Sequence, residues 1–315
     1  MPSPVVAVID IGSNSIKVLV AARGPDGGLT VLKVRTIDAR ISAGISQANP
    51  RLTEEGMTRG LDAIGALLTD VASFSPNQIV LVATSAVRDA RNGAEFRGRV
   101  SAATGLDIRI LTGDGEASLI GRGLTCDPAL ARLRDFYVFD LGGGSLECLA
   151  FRDRRIEQAA SLQLGCVRLT EKFVANVRQS FAADAEAKIA AHTREVFSKS
   201  SFRFSLPATA VVVGTGGTLA TVRAVRGARL EQAFEQTEPL ITVAPLREQL
   251  AWLGGLPLAG RKPIPGLPPP RADVFPAALA TLISVAEIGG FDAYRNSLYN
   301  LRYGLAAEAL ERSSA

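Results

Sequence analysis

The fold is decided by the stretch V5-V-A-V-I-D-I-G-S-N-S15, and the later stretch Y137-V-F-D-L-G-G-G-S145 repeats its pattern. Each is a short apolar run, rich in β-branched or aromatic residues, that ends in Asp, one apolar residue, and then Gly and Ser. Such runs favour buried strands, and glycine lets backbone N–H groups turn toward an anion. The pattern therefore predicts, twice, a strand that leads into a phosphate-binding loop.

A third glycine-rich loop, G214-T-G-G-T218, follows the apolar run from Ala208 to Val213. Asp10 and Asp140 end the two repeated strands, where their carboxylates could hold a cation bound to the same anion. The alternative is that each aspartate caps its own loop. Three such loops at strand ends predict a duplicated fold that closes on a phosphorylated ligand from two sides.

The order of predicted elements also repeats. The first half reads β-β-β-α-β-α-β-α, with a turn at residues 25–28 between the first two strands, and the second half begins with three strands again. A strand at Asn296–Asn300 and a helix at Tyr303–Arg312 end the chain. We predict an α/β protein with domains at residues 1–125 and 126–315, and the last helix could pack back on the first domain.

Composition limits the function classes. The 315 residues, 47% of them hydrophobic, suffice for two cores, and a net charge of +4 fits a polyanionic ligand without implying one. With 4 Tyr and 1 Trp, a nucleic-acid stacking platform is not expected. No apolar run has the length of a membrane span and no signal-like segment precedes the first strand, so we expect a cytoplasmic protein. The three cysteines lack metal or redox spacing and are expected to be free thiols.

Taken together, the motifs resemble the exopolyphosphatase and guanosine pentaphosphate phosphatase family, a branch of the sugar kinase, Hsp70 and actin superfamily. The resemblance is carried by D10-I-G-S-N-S15, A83-T-S-A-V-R-D-A-R-N92, I110-L-T-G-D-G-E-A-S-L-I120, D140-L-G-G-G-S-L-E147, L164-G-C-V-R-L169, V213-G-T-G-G-T218 and R271-A-D273. It implies two duplicated RNase H-like (actin-like ATPase) domains with the active site in the interdomain cleft.

The resemblance also implies site residues and chemistry. It implies hydrolysis of terminal phosphates of polyphosphate or guanosine pentaphosphate, with Mg²⁺ or another divalent cation, and Glu116 as general base. The predicted metal ligands are Asp10, Asp140 and Glu147. The predicted phosphate-binding residues are Gly12, Ser13, Asn14, Ser15, Arg88, Gly142, Gly143, Gly144, Ser145, Gly214, Thr215, Gly216, Gly217 and Thr218.

Two carboxylates are candidates for catalysis. Glu116 could instead be a solvated residue near the N-terminus of a helix, where negative charge is favoured. Glu147 lies two residues beyond Ser145 on a strand, so it shares the face of Ser145 and could contact a metal or water. Arg88 could fork two phosphate oxygens or pair with Asp89 on the surface.

Some residues depart from the family pattern or invite a weaker hypothesis. Gly115 stands where the family has Glu, and Leu146 replaces a Thr, which removes one hydroxyl near the second phosphate loop. The run of Arg223, Arg226 and Arg229, spaced by three, could guide a long polyanion or form a solvated helix face. The only histidine, His192, is expected on the surface, so carboxylates must act in catalysis.

These patterns lead to one main hypothesis and its rivals. We predict a hydrolase that releases terminal phosphate from inorganic polyphosphate, and guanosine pentaphosphate is the alternative substrate. A rival of another class is a catalytically weak regulatory protein that binds a nucleotide or polyphosphate. A sugar kinase is a weaker option because no acceptor-site motif is visible. The sequence leaves a homodimer open.

Overall fold

The computed structural model describes residues 4–25, 27–42 and 44–312. The chain forms two compact units: unit 1 comprises Met1–Arg132 and Tyr299–Ala315, and unit 2 comprises Leu133–Leu298. The end of the chain therefore returns to unit 1, as the sequence analysis allowed. The predicted domain boundary at residues 125 and 126 lies slightly before the division between these units and stays a prediction.

Unit 1 is built on a five-stranded sheet with the order β3-β2-β1-β4-β5, in which β1 is antiparallel to β2 and parallel to β4. Its strands and helices are β1 Val5–Ile11, β2 Ile16–Arg23, β3 Leu29–Ile37, α1 Glu54–Ala72, β4 Gln78–Ala83, α2 Ser85–Asp89, α3 Gly93–Thr104, β5 Ile108–Ile110 and α4 Gly113–Thr125, with α11 Leu301–Arg312 at the chain end.

The apolar patterns explain this core. Val6 to Ile9 of β1 are fully buried, because both faces of the central strand are covered. Helix α1 begins after Thr53, whose Oγ1 accepts a hydrogen bond from Gly56 N at 3.0 Å and caps the helix. The apolar stripe of α1, with Ile64 and Leu67, packs into the same core as β1. Helix α11 packs on α4 and on β1.

Unit 2 has a six-stranded sheet with the order β10-β11-β9-β6-β7-β8. Its strands and helices are β6 Phe136–Leu141, β7 Leu146–Arg152, β8 Arg155–Leu162, α5 Cys166–Phe173, α6 Ala183–Lys199, β9 Val211–Thr215, α7 Gly217–Arg229, β10 Leu240–Thr242, α8 Val243–Gly255, α9 Leu258–Arg261, α10 Phe275–Gly289 and β11 Ala293–Asn296. Strands β8-β7-β6-β9-β11 repeat the order of β3-β2-β1-β4-β5 and its strand directions. The predicted duplicated α/β fold is confirmed.

Helix α10 forms the centre of the unit 2 helical layer. Phe275 to Ala286 are buried on every face, because α10 contacts α5, α6, α7 and α8. Full burial of a large apolar side chain contributes about 1.5–3 kcal/mol each. This helix therefore anchors the elements that carry the loops of unit 2.

Two local predictions need correction, and one long helix was not predicted. The predicted strand at Asn296–Asn300 is wrong, because β11 ends at Asn296 and Asn300 Oδ1 accepts from Arg302 N at 3.3 Å as α11 begins. Helix α8 was not predicted from the sequence. The predicted turn at residues 25–28 lies between β2 and β3 rather than between the first two strands, and its Asp26 is outside the described residues.

Two predictions from composition can be compared with the fold. No helix in the described ranges combines the length and apolarity needed to cross a membrane. All three cysteines are free: Cys148 and Cys166 are buried, and Cys126 is half-buried. The prediction of free thiols is therefore confirmed.

Candidate active site

Loop 1, residues Gly12–Ser15, joins β1 to β2 in unit 1. Gly12 N donates to Ser15 O at 3.2 Å, which closes a tight turn. Ser13 and Asn14 are buried, and Ser13 Oγ lies 3.3 Å from Ser85 Oγ at the start of α2. Loop 1 is thus fixed against α2, the helix that also carries Arg88.

Glu116 lies in the first turn of α4 and is 6% exposed. Arg88 Nη1 lies 3.3 Å from Glu116 Oε2 and donates to Leu111 O at 2.9 Å, while Arg88 Nε lies 3.3 Å from Asp89 Oδ1. The surface pair with Asp89 is therefore only part of the environment of Arg88. In unit 1 the structure connects loop 1, α2 and the predicted base, and it does not leave Glu116 as a solvated residue.

Loop 2, residues Gly142–Ser145, joins β6 to β7 in unit 2. Gly142 N donates to Ser145 O at 3.0 Å, which reproduces the turn of loop 1. The segment that begins α5 lies directly behind it: a Cβ on residue 165 would collide with the backbone of Gly143 and Gly144. Only glycine at position 165 permits this close approach.

Loop 3, residues Gly214–Thr218, lies between β9 and α7. Gly216 has φ 86°, and a Cβ at this position would collide with Asp140 Oδ1, so loop 3 approaches the aspartate that ends β6. Arg271 Nη1 packs against Gly217 at the start of α7. Arg271 belongs to the motif R271-A-D273, although it is not among the predicted site residues. Unit 2 therefore brings loop 3, Asp140 and a guanidinium together.

Among the described residues, three of the seven buried side-chain polar atoms without a hydrogen-bond partner lie at or beside these loops. They are Asn14 Nδ2 at loop 1, Thr218 Oγ1 at loop 3 and the Nε of Arg271. A buried polar atom without a partner costs roughly 1–3 kcal/mol. Phosphate oxygens are acceptors, so such donors in either unit fit the predicted phosphate ligand.

One row of side chains crosses the unit 2 sheet beside loop 2. Asp140 is the register partner of Glu147 on one side and of Thr215 on the other, and Glu147 is the partner of Ser161. Glu147 is 2% exposed and accepts from Ser161 Oγ at 2.8 Å. Asp140 and Glu147 therefore lie on one face of neighbouring strands.

The equivalent row in unit 1 carries a different charge. Asp10 is the register partner of Lys17 and of Val82, so Lys17 occupies the position of Glu147. Burial raises the pKa of the Asp10 carboxyl, and the positive charges of Lys17 and Arg302 act in the opposite direction. Both cations were absent from the predicted site, although Lys17 lies two residues after Ser15 as Glu147 does after Ser145.

A divalent cation fits the unit 2 row better than the unit 1 row. Magnesium in proteins is held by one or two carboxylates, with waters and substrate phosphates as the remaining ligands. Asp140 and Glu147 supply two carboxylates, whereas Asp10 has a lysine opposite it. Within the described ranges, no three His, Cys, Asp or Glu side chains form a complete metal site by themselves.

The two departures from the family pattern lie in different surroundings. Gly115 N donates to Thr112 Oγ1 at 3.1 Å, within the capped first turn of α4. Leu146 is fully buried and pairs with Leu141, on the face of the sheet opposite Asp140 and Glu147. The leucine at position 146 therefore removes no hydroxyl group from the face of the sheet that carries Asp140 and Glu147.

The predicted basic track on α7 needs correction. Arg223 is 6% exposed: its Nε donates to Thr237 Oγ1 at 3.1 Å, and its guanidinium lies 4.2 Å from the centre of the Phe234 ring. Burial lowers the pKa of Arg223. Arg223 thus stabilises unit 2 and does not share an exposed face with Arg226 and Arg229.

Comparison with known proteins places the chain among phosphatases. The sequence profile described as "Ppx/GppA phosphatase family" matches residues 19–313. The guanosine-5'-triphosphate,3'-diphosphate pyrophosphatase of Vibrio vulnificus (strain YJ016) is 29% identical over 308 residues, which are 98% of this chain and 60% of that protein. The chain therefore spans about three-fifths of the length of this curated relative.

Solved structures match the fold over nearly the whole chain. The Aquifex aeolicus member of the Ppx/GppA family has a TM-score of 0.78 at 23% identity, with 100% of both chains covered. An exopolyphosphatase from Cytophaga hutchinsonii has a TM-score of 0.87 at 23% identity, with 98% of both chains covered. At these identities the likeness establishes the fold, in agreement with the duplicated sheets.

Proposed function

Because the chain belongs to the Ppx/GppA phosphatase family, we propose that it is a phosphoanhydride hydrolase that releases terminal phosphate from inorganic polyphosphate. The observation that carries this proposal is the position of Glu116. A buried carboxylate, paired with Arg88, is connected through α2 to a loop that has an unpartnered buried donor. Hydrolysis of a phosphoanhydride requires such a combination of a phosphate cradle and a group that activates water.

The proposed roles follow from the contacts in each unit. Glu116 accepts a proton from the attacking water, and Arg88 supplies positive charge beside it. Loops 1, 2 and 3 donate hydrogen bonds to phosphate oxygens, with Asn14, Thr218 and Arg271 contributing their unpartnered groups. Within each unit, such donors would stabilise negative charge on the phosphate oxygens that they contact.

Asp140 and Glu147 would hold the divalent cation, and Ser161 fixes the orientation of Glu147. A magnesium ion held there would neutralise charge on the phosphate oxygens. The prediction that Asp10 also binds the cation stays a prediction. Lys17 and Arg302 already give its carboxyl positive neighbours, so we assign the cation to Asp140 and Glu147 instead. The cytoplasmic location and the homodimer stay predictions as well.

Guanosine pentaphosphate is the second candidate substrate. The Vibrio vulnificus relative is named for guanosine-5'-triphosphate,3'-diphosphate, and it is similar to 98% of this chain. Both substrates end in a phosphoanhydride, so the same residues would serve either reaction. In the alternative regulatory function, the loops would still bind a phosphorylated ligand, but Glu116 would have no catalytic role.

A substrate panel tests the proposal. Phosphate release should be measured with long polyphosphate, short polyphosphate, ATP and guanosine pentaphosphate, each with and without magnesium. We expect magnesium-dependent release from polyphosphate, and the ratio of kcat/KM values identifies the preferred substrate. Binding of polyphosphate without release from any substrate would support the regulatory alternative. If the protein neither binds polyphosphate nor releases phosphate from any substrate, the proposal is overturned.

A further inference from the structure

The carbonyl sides of loops 1 and 2 are both held by a neighbouring segment that carries an arginine. Behind loop 1 lies the segment Arg40–Ser42: Arg40 N donates to Asn14 O at 2.8 Å, and Ser42 Oγ donates to Ser13 O at 3.0 Å. These bonds occupy the carbonyl oxygens of Ser13 and Asn14. An anion needs donors and is repelled by exposed carbonyl oxygens, so this arrangement prepares the loop for phosphate.

The Arg40 side chain adds a contact that fixes the Asn14 amide. Arg40 Nε donates to Asn14 Oδ1 at 3.1 Å. A guanidinium has donors only, so it must face the oxygen of the asparagine amide and not its nitrogen. The nitrogen, Asn14 Nδ2, then remains as a buried donor without a partner in the described part of the chain. Arg40 therefore determines which end of the Asn14 amide is left for a ligand.

The backbone at Arg40 is strained, which indicates that its side chain has a specific role. Arg40 has φ 38°, in the left-handed region that favours glycine. The segment is held there by Arg59, whose Nε donates to Ala39 O and whose Nη2 donates to Arg40 O, both at 2.8 Å. Glycine at position 40 would fit the backbone better, but it would remove the contact with Asn14.

Loop 2 has a matching arrangement. Cys166 N donates to Gly142 O at 3.0 Å, and Val167 N donates to Gly143 O at 2.9 Å. The Nε of Arg168, a residue that is 9% exposed, donates to Gly144 O at 2.9 Å. Each loop carbonyl from residue 142 to residue 144 is thus occupied from behind.

We propose that Arg40 and Arg168 are matched positioning residues that hold the acceptors of loops 1 and 2 away from the ligand and leave their donors available for phosphate. The inference rests on the proposed function, because it assumes that these loops bind phosphate groups of the substrate. Neither arginine needs to touch the phosphate itself. Arg40 acts through the Asn14 amide, and Arg168 acts through the backbone of loop 2.

The variant Arg40→Gly separates positioning from stability. It relieves the left-handed backbone and removes the Nε contact, so we expect a melting temperature equal to or above that of the wild type and weaker phosphate binding. Loss of a charge-assisted hydrogen bond that orients a ligand group predicts a KM for polyphosphate raised by about tenfold, with a smaller change in kcat. Arg40→Lys keeps the charge, so its KM for polyphosphate should lie between those of the wild type and Arg40→Gly.

The direct test is an NMR titration of protein labelled with ¹⁵N-asparagine, with inorganic tripolyphosphate as the probe. Asn14→Asp identifies the side-chain signal of Asn14. We expect this NH₂ signal to shift on addition of tripolyphosphate to the wild type, and the shift to be absent or much reduced in Arg40→Gly. For loop 2, ¹⁵N-glycine labelling with Arg168→Lys, which keeps the charge in a buried position, should give weakened responses at residues 142–144.

The outcomes separate this inference from the proposed function. If the wild type binds tripolyphosphate and releases phosphate from polyphosphate, but Arg40→Gly has the same KM and the same Asn14 shift, the positioning role is overturned and the hydrolase proposal stands. If the wild type binds tripolyphosphate without hydrolysing any substrate, only the hydrolase proposal falls. If it neither binds nor hydrolyses, both fall.

Discussion

The rows of residues beside loops 1 and 2 occupy equivalent places in two similar sheets but carry different charges. In unit 1 the row reads Val82, Asp10, Lys17 and Thr36. In unit 2 the row reads Thr215, Asp140, Glu147 and Ser161. The first row contains a positively charged side chain, Lys17, whereas the second places two carboxylates side by side.

The two rows show how a duplicated fold can assign different chemistry to equivalent positions. Two neighbouring carboxylates repel each other unless a cation or a proton lies between them. The unit 2 row is thus suited to a divalent cation, and the unit 1 row, with its lysine, is suited to direct contact with phosphate. Unit 1 instead supplies a carboxylate from another element, Glu116 on α4.

The largest expected effect tests the catalytic part of unit 1. Glu116→Gln keeps the shape of the side chain but cannot accept a proton, so kcat for polyphosphate should fall by roughly 10²- to 10⁴-fold. Polyphosphate should bind as tightly as in the wild type or more tightly, because a negative charge has been removed. Steady-state kinetics and calorimetry measure the two quantities.

The control for this variant is Glu308→Gln, which removes a carboxylate of α11 that pairs with Arg109 and Arg312. It should leave kcat nearly unchanged. A Glu116→Gln enzyme that keeps more than about a tenth of the wild-type kcat would exclude Glu116 as the base, and Glu147 would become the next candidate.

An intermediate effect is expected when the unit 2 row is made to resemble the unit 1 row. Glu147→Lys places an ammonium group beside Asp140, where it competes with a divalent cation. The magnesium concentration for half-maximal activity should rise by at least about tenfold. A magnesium titration of initial rates measures this effect, and Glu157→Lys on the exposed end of β8 is a matched charge-reversal control. An unchanged magnesium requirement would contradict the proposal that the unit 2 row holds the cation.

The smallest expected effect concerns the stability cost of the Asp10 charge. Its pKa is raised by burial, so the ionised carboxylate destabilises the folded state at neutral pH. The penalty is absent below the ordinary pKa of 3.8 and develops as pH rises through the raised value. We therefore expect Asp10→Asn to melt at a higher temperature than the wild type at pH 7.

Thermal unfolding followed by circular dichroism at pH 7 and at about pH 3.5 checks this expectation. The difference between Asp10→Asn and the wild type should shrink at the lower pH, where the carboxyl is mostly protonated in both states. Asp62→Asn, at an exposed position of α1, is the matched control for the substitution itself. A lower melting temperature for Asp10→Asn at pH 7 would mean that Lys17 and Arg302 outweigh the effect of burial.

Local sequence patterns predicted the parts of the site that are local in the chain. Loop 1 and loop 2 follow their strands as expected, because an apolar strand, an aspartate and glycine are sequence neighbours. The contrast between Lys17 and Glu147 was also visible, since each lies two residues after the last loop serine. A lysine at this position has no family motif to single it out, so its pairing with Asp10 becomes evident only from the strand register.

Contacts between distant segments could not be predicted in the same way. Arg40 and Arg168 act on loops that lie 26 and 24 residues away in the chain, and no local period indicates such pairs. The spacing of Arg223 suggested an exposed face, but the residue is buried because Thr237 and Asn296 supply acceptors around it. Whether such a side chain is buried or exposed therefore depends on polar partners that are distant in the sequence.

The most direct test of the division between the rows is a titration with Mn²⁺ followed by electron paramagnetic resonance, since Mn²⁺ accepts the same oxygen ligands as magnesium. It should be carried out on the wild type, Asp140→Asn and Asp10→Asn. We predict one ion per chain in the wild type, loss of that site in Asp140→Asn, and its retention in Asp10→Asn. Retention in Asp140→Asn with loss in Asp10→Asn would contradict the account.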